Sequence, residues 1–594
     1  MIEWMHPAFI FIIGALFIPF LDGRIKKAYM LLLPFLAFMD TFAMSEGTYW
    51  VYNFLGNNLV FGRVDGLSLV FSYIFTIMQF TGMLYALHVE DDRQHMAAFF
   101  YAGSSLGAVF AGDYLTLFIF WEIMALSASY LVFAKRGGDA LDAGFRYILV
   151  HIFGGACLLA GIVIHYALTG SLVFVHAQDI TLASYLVLTG FLICAAAPPL
   201  GAWLPDSYPE ATITGAVFMS AFTTKTAVYA LIRAFPGQPL LIWVGVIMAV
   251  YGIIYAMMEN DMRRLLSYHI ISQVGYMVAG VGIGTELALN GAAAHAFANI
   301  IYKGLLFMGT GAVIHATGKR KITELGGLYE KMPVTFVLYI IGGVSISAFP
   351  LFLGFISKSM VIGAAGEKGL SIVTLLLMLA SSGTLLSTTL KLPYHVFFGE
   401  KKGISEAKEP PLNMIFAMAF AAFLCISIGI FPSILYNILP YPVSFEPYAL
   451  NHVTGTLGML AFTGLGFLVL LKKFRPEPAV SVDTDWFYRR GSDYLVLFLY
   501  RPIKRLGAAA GKAAFDSIPS FLAHITKNPL AELKIAGDTF LFILGGKNIR
   551  PRIKERIREE KALYPGDIIK HWPIGSTVLW VTLFLLASLF IYYL

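Results

Sequence analysis

Cysteine is scarce. Cys157, Cys194 and Cys425 are the only three, too far apart for a CxxC, haem or iron–sulfur spacing, and they imply no disulfide framework. Charge is scarce too: Asp, Glu, Lys and Arg make up 13% of the chain, against about 25% in soluble domains. A soluble globular protein is thereby excluded. Motifs that bind nucleotide, flavin or iron–sulfur clusters are missing, and the histidines lack metal-ligand spacing with a second ligand, so neither cofactor nor metal is expected. The opening MIEWMHPAFIFIIGALFIPFL lacks a basic leader and a small-residue cleavage site, so it is expected to remain as a first span. The net charge of +6 does not point to nucleic acid, because the basic residues fall in loops between apolar runs.

What is present is apolar. Hydrophobic residues make up 58% of the chain, mean hydropathy is +0.74, and runs of about 20 apolar residues recur throughout. This predicts an all-α, polytopic membrane protein of about sixteen helices. The expected spans are 4–21, 28–44, 64–88, 95–111, 114–134, 143–166, 183–208, 211–235, 240–259, 265–285, 289–317, 333–363, 370–398, 411–431, 453–471 and 574–594. They group as N-terminal helices (1–94), a five-helix repeat (95–235), a second, inverted repeat (240–398), two further core helices (411–471), an amphipathic extension (480–570) and a terminal anchor (574–594).

Loop charge fixes an expected orientation. Arg24, Lys26, Lys27, Arg93, Lys135, Arg136, Arg263, Arg264, Lys319, Arg320, Lys321, Lys331, Lys401, Lys402, Lys408, Lys472, Lys473 and Arg475 fall in loops on one side. The opposite loops hold only Arg63, Arg233 and Lys368. The positive-inside rule then places the protein in the cell (inner) membrane, N-terminus outside and basic C-terminal region in the cytoplasm.

The chain is organised around WLPDSYPEATITGAVFMSAFTTKTAVYALIR, from Trp203 to Arg233. After the Pro205–Glu210 turn it reads as one long apolar helix whose only internal charge, Lys225, lies roughly 6 Å from mid-span. Such a lysine faces a bundle interior or wet cavity, or snorkels to the interface, which four carbons reach poorly. Spans seven and twelve are expected to be broken, at AAAPPLGAW (Pro198, Pro199) and SAFPLFLGFISK (Pro350, Gly354). Five spans separate the breaks, so they run oppositely, as in an inverted repeat, and broken helices commonly mark an ion path. An ordinary proline kink is the alternative.

The other charges within spans are few. Glu122 lies on span five, His295 and Lys303 on span eleven, Lys358 after the break in span twelve, and Lys391 on span thirteen. Arg146 and His151 enter span six, and His269 enters span ten. The pattern suits a proton relay. Two opposite charges 4 Å apart at an effective dielectric of 20 interact by roughly 4 kcal/mol, enough to switch a partner between holding and releasing a proton. Glu122 with Lys225 is the expected switch, with Lys303, His295 and Lys358 carrying the next steps. Proton flux unchanged in both Glu122→Gln and Lys303→Ala would sink that hypothesis. Lys358 is otherwise a helix anchor, Lys391 a snorkelling residue, His151 and His269 hydrogen-bonded core residues, and Asp65 a cap for span three.

Together with DMRRLLSYHIISQVGYM, HAFANIIYKGLLFMG and FPLFLGFISKSM, the Trp203–Arg233 stretch resembles the proton-conducting antiporter family. Its members are the antiporter-like subunits of respiratory complex I, membrane-bound hydrogenases and Mrp-type cation/proton antiporters. The resemblance covers roughly residues 60–400, and TTKTAVYAL and DTDWFYRRG look most like a D-type Mrp subunit. It implies Glu122 as the span-five glutamate, Lys303 as the central lysine, Lys358 as the terminal one and Lys225 as the span-eight lysine of D-type subunits. Two positions depart: Cys194 stands where a lysine is implied nine residues before Trp203, and Asn299 where complex I subunits often carry a second histidine. The expected function is translocation of protons, with exchange for sodium left open, beside other hydrophobic subunits in the bilayer. Alternatives are a redox-driven quinone or hydrogenase complex, or a structural subunit with an incomplete channel. Residues 493–570, with YRPIKRLGAAAGKAA and RIKERIREEK, read as a basic amphipathic segment on the cytoplasmic membrane surface, similar in layout to the lateral helix of the distal complex I subunit, or as a docking tail.

Overall fold

The computed structural model describes all residues except 1–4, 178–179, 403–405, 472, 474–475, 478–482, 513–515, 547–548, 565–573 and 594. The expected loop charges Lys472 and Arg475, and parts of the extension, therefore lie outside the described residues. Two compact units divide the chain, Met1–Trp486 and Phe487–Leu594.

Helices coincide with the apolar runs because a backbone in lipid must satisfy its own hydrogen bonds. By length and composition, nine described helices can cross a bilayer, and four shorter apolar helices accompany them. Between spans two and three, hydropathy leaves residues 45–63 unassigned. They form an antiparallel hairpin of Gly47–Phe54 and Asn57–Val64. Leu55 (φ 49°) and Gly56 (φ 80°) close it, the twist a two-residue turn requires. The hairpin is pinned to the bundle: Val60 N donates to Asp113 at 2.7 Å, and Arg63 donates to Phe174 O at 2.8 Å. Asp65 caps span three through Ser68 as expected, and it also takes a bidentate pair from Arg233 at 2.8 and 2.9 Å.

Spans seven and twelve are discontinuous, as the proline positions predict. Leu182–Cys194 ends before a short Trp203–Ser207 helix, and Pro333–Ile346 ends before Leu353–Glu367. The breaks share a construction. Ala196 (φ 62°) and Ala348 (φ 58°) sit in the left-handed region, which costs a non-glycine residue. A glycine then passes a carbonyl closely: a Cβ on Gly201 would meet Ala196 O at 2.1 Å, and one on Gly354 would meet Ser345 O at 1.8 Å.

One expectation fails. The stretch from Ala211 to Ile232 is not one helix; it stops at Met219 and restarts at Thr223. Lys225 thus begins a half-helix rather than sitting within a continuous one. The sequence carries no proline or glycine there, so hydropathy alone passes over the break. Span thirteen likewise widens after Ser371–Thr384 into π-helical turns over Leu385–Lys391 and Tyr394–Phe398, a form common at functional sites.

The two halves carry matching landmarks in the same order. Asp113 and Asp261 each cap a helix, and each sits in an isolated antiparallel bridge, to Val173 and to Lys321. Each capped helix precedes a 32-residue helix, Gly138–Thr169 and Glu286–Thr317, ended by a left-handed glycine, Gly170 and Gly318. Spans nine and ten (Pro239–Met258 and Met262–Ile283) pack backbone to backbone: a Cβ on Gly245 would meet Ala279 N at 2.3 Å and Gly275 O at 2.5 Å. Gly245→Val is therefore expected to cost about 1–3 kcal/mol or more, read as a lower thermal midpoint in detergent. A midpoint equal to that of the parent would contradict this packing.

In the second unit, Pro529–Leu544 and Arg550–Leu563 are tied by Arg556–Asp538 (3.5 Å) and Lys534–Glu560 (3.6 Å), and Ile574–Tyr593 is an apolar helix.

Candidate proton-relay site

Each buried lysine ends on backbone carbonyls. Lys225 donates to Ser220 O at 2.7 Å, across the break in span eight. Lys358 donates to Ile346 O at 2.8 Å, the last carbonyl before the break in span twelve, and lies 5.0 Å from the centre of the Tyr276 ring. Lys391 donates to Met257 O at 2.6 Å and Glu259 O at 3.2 Å, where span nine ends. Carbonyls at a helix C-terminus lack intrahelical partners and carry the negative end of the dipole, so they suit an ammonium. Lys391 is only 5% exposed; it caps a neighbouring helix instead of snorkelling. Lys303, in the middle of Glu286–Thr317, donates to Leu266 O at 3.1 Å.

Lys225, Lys303 and Lys358, with His269 and His295, form one group of buried basic side chains. Lys303 lies within the field of both other lysines, His269 within that of Lys303 and Lys358, and His295 within that of Lys225 and Lys358. All five are at most 1% exposed. Short polar links join them. His295 contacts Ser357 Oγ at 3.1 Å and Tyr302 OH at 3.4 Å, Tyr302 donates to Gln273 at 3.3 Å, and His269 contacts Ser387 Oγ at 2.7 Å. Asn299 donates to the Tyr302 hydroxyl at 3.1 Å. Several buried polar atoms here have no protein partner: His269 Nδ1, Ser272 Oγ, Asn299 Oδ1, Thr388 Oγ1, Thr224 Oγ1 and both amide atoms of Gln79. An unpaired buried polar atom costs about 1–3 kcal/mol unless solvated, so water is expected along this row.

The first half is built differently. Among the described residues no ion pair joins Glu122 to Lys225, so the expected switch is not formed in this arrangement. Glu122 Oε1 is buried without a hydrogen-bond partner, pressed where a Cβ on Gly155 would meet it at 2.0 Å, and Cys194 lies buried in its field. His151 stacks on Tyr147 (3.9 Å between centroids) and bonds Tyr147 O at 2.8 Å. Arg146 forms a bidentate pair with Asp206 at 2.7 and 2.9 Å; this places it as a tie between spans six and seven.

Residues 111–387 match the transmembrane family described as NADH:quinone oxidoreductase/Mrp antiporter. The match takes in the central spans, both breaks and the buried lysines Lys225, Lys303 and Lys358. A Staphylococcus aureus protein named Na(+)/H(+) antiporter subunit A1 is 28% identical over 514 residues, covering 78% of this chain; the chain spans 62% of that relative's length. Among solved structures, the fold is similar to a chain of the Mrp complex of Dietzia sp. (TM-score 0.66, 21% identity, 76% of this chain and 99% of that one). It is also similar to a chain of the archaeal membrane-bound sulfane sulfur reductase (0.70, 22%, 88% and 98%) and to one of complex I from Thermus thermophilus (0.63, 22%, 73% and 99%).

Within the matched spans, the landmarks of the two halves separate their chemistry. Lys303 lies fifteen residues before Gly318, and Gly155 stands fifteen before Gly170. By the same count His295 corresponds to Tyr147; counting from Ala348 and Ala196, Lys358 corresponds to Asp206. The second half carries two lysines and a histidine where the first carries glycine, a paired aspartate and tyrosine.

Sequence reading missed the partners on the basic-loop face. Glu210 accepts from Lys135 and from Arg320, both at 2.6 Å, and Arg320 also pairs with Asp261 at 2.7 Å. Asp483 of the DTDWF motif accepts from Tyr268 at 2.6 Å and from Tyr251, holding the chain after span fifteen against spans nine and ten. Burial pushes the Glu210 carboxyl up, but Lys135 and Arg320 outweigh it and hold it below the ordinary carboxylate value of 4.5. A lowered carboxylate stabilises the fold above its unfolded-state value and loses that contribution as pH falls through the folded one. Thermal midpoints measured from pH 6 downward are expected to fall less steeply in Glu210→Gln than in the parent. Identical slopes would remove Glu210 from the acid response.

Proposed function

We propose that this chain is an ion-translocating subunit of a multi-subunit membrane complex, moving protons, in exchange for sodium, along its buried lysines. The observation that carries this reading is the row Lys225–Lys303–Lys358, bare of any carboxylate partner among the described residues, with carbonyl ligands and unpaired polar atoms alongside. Because the cations repel, a proton arriving on one raises the energy of a proton on the next and drives it onward. Lys391 stands at the basic-loop end of the row, and the orientation we adopt puts that end in the cytoplasm and the N-terminus outside. The names of the S. aureus relative and of the Mrp complex support the antiport reading.

The adjacent Glu122 and Cys194 favour a second reading for the first half alone. Without a lysine at 194 or 155, that half acts as scaffold and not as a second channel. Cys194→Lys separates the two: increased flux indicates a lost channel restored, whereas unchanged or reduced flux fits a path rerouted through Lys225. The energy source is tested by gentle-detergent purification and mass spectrometry. Retention of small hydrophobic and antiporter-like subunits alone supports a gradient-driven antiporter. Retention of iron–sulfur or flavin proteins makes it the pump module of a redox complex, the assembly type named for two of the structural neighbours.

A further inference from the structure

Asp483, in the DTDWF motif, joins Tyr251 of span nine to Tyr268 of span ten, and Tyr268 leads back to the row of lysines. Its ring stacks on Tyr255 of span nine, 5.2 Å between centroids. Its hydroxyl, donating to Asp483, also accepts from Arg264, one helical turn earlier on span ten. Arg264 in turn pairs with the Glu259 carboxylate at 3.3 Å. The other oxygen of that carboxylate accepts from the N–H groups of Asn260 at 2.9 Å and Asp261 at 3.2 Å, and this folds the turn between spans nine and ten. The main chain at this end of span nine supplies both ligands of the Lys391 ammonium, Met257 O and Glu259 O, and Glu259 is the charged side chain whose field reaches it. Asp483, Tyr268, Glu259 and Lys391 are all at most 6% exposed. Span fifteen touches the segment that carries Lys391 as well: Phe467 meets Tyr394 edge-on, 6.1 Å between centroids, in the π-helical turn that follows Lys391.

We propose that Asp483 is a positioning residue for Lys391. It holds the Tyr268 hydroxyl, Tyr268 holds Tyr255 and Arg264, and these keep the end of span nine in the shape in which Met257 O and Glu259 O converge on the ammonium. Two carbonyls converge on one cation only while the peptide planes that bear them stay fixed. A buried, fully paired polar network fixes such a geometry, and a site held without one loosens. Arg264, held on Glu259, offsets that carboxylate, so the carbonyls are what hold Lys391. Lys391 stands at the basic-loop end of the row, and the clasp therefore sets the terms on which that end takes up and gives up protons. The proposal rests on the relay reading above, and its first readout does not depend on transport.

The test measures the reactivity of Lys391 in the intact complex toward acetic anhydride, a small acylating agent that enters membranes, with each modified lysine identified by mass spectrometry. Asp483→Asn and Tyr268→Phe are each expected to speed acetylation of Lys391 by about tenfold, the scale of one hydrogen bond to a charged group. Asp483→Glu, which keeps the carboxylate, is expected to stay near the parental rate. Lys358, buried in another helix, is expected to keep its parental rate in all three and so reports any general loosening. Tyr268→Phe retains the ring stacked on Tyr255 and carries the test if Asp483→Asn does not accumulate. Parental acetylation of Lys391 in both variants, or equal acceleration at Lys358, overturns the positioning role. Proton flux in the same variants is expected to fall. Accelerated acetylation of Lys391 beside parental flux leaves the clasp standing and overturns instead the reading of Lys391 as a member of the relay.

Discussion

Lys303→Met in the intact complex is expected to reduce proton flux by about 100-fold, the scale on which removing a proton-transfer group acts, with little loss of fold. Lys303 occupies the middle of Glu286–Thr317, is fully buried, and is the residue on which the fields of Lys225 and Lys358 meet. Its one hydrogen bond is to Leu266 O, a carbonyl within a helix, so methionine leaves no charge unpaired and nearly fills the same volume. Flux is read from a pH-sensitive dye in everted vesicles, and retention of the fold from the thermal midpoint. Parental flux with a parental midpoint would remove Lys303 from the path.

Asp206→Ala is expected to act in the opposite manner, on stability before transport. Asp206 binds Arg146 in two nearly parallel hydrogen bonds, and its side chain is 6% exposed against 24% for Arg146. Removing the carboxylate strips two charge-assisted hydrogen bonds from a guanidinium that is only a quarter exposed, which costs about 1.5–3 kcal/mol. The short helix Trp203–Ser207 would lose its tie to span six, and with it the geometry of the first break. The expected readout is a strongly lowered thermal midpoint, partly restored by Arg146→Met in the same chain. A double variant no more stable than Asp206→Ala alone would contradict the uncompensated-charge explanation.

Much of this architecture was legible in the chain. Apolar runs, loop charge and the prolines at 198, 199 and 350 locate the helices and two of the breaks, because lipid enforces closed hydrogen bonding and proline cannot supply it. The third break, between Met219 and Thr223, carries no such mark; it is held by tertiary contacts, among them the Thr223 N–H bond to Tyr101 OH, and by the local Lys225 bond to Ser220 O. The hairpin at Gly47–Val64 is short and flanked by stronger hydropathy signals, and only the Leu55–Gly56 turn marks it. For the site, charge within a span singles out Glu122, Lys225, Lys303, Lys358 and Lys391 from composition alone. Which of them meet is set by how distant spans pack. Hydropathy is blind to that, so the Glu122–Lys225 pairing did not follow and the Arg146–Asp206 and Glu210–Arg320 pairs went unseen.

The most direct test of the central claim is made on the purified complex in proteoliposomes, with a sodium gradient imposed across the membrane and internal pH followed. The account predicts a pH change that follows the sodium gradient without any redox substrate and is lost in Lys303→Met. An internal pH indifferent to the gradient, or one that responds equally in Lys303→Met, would contradict it.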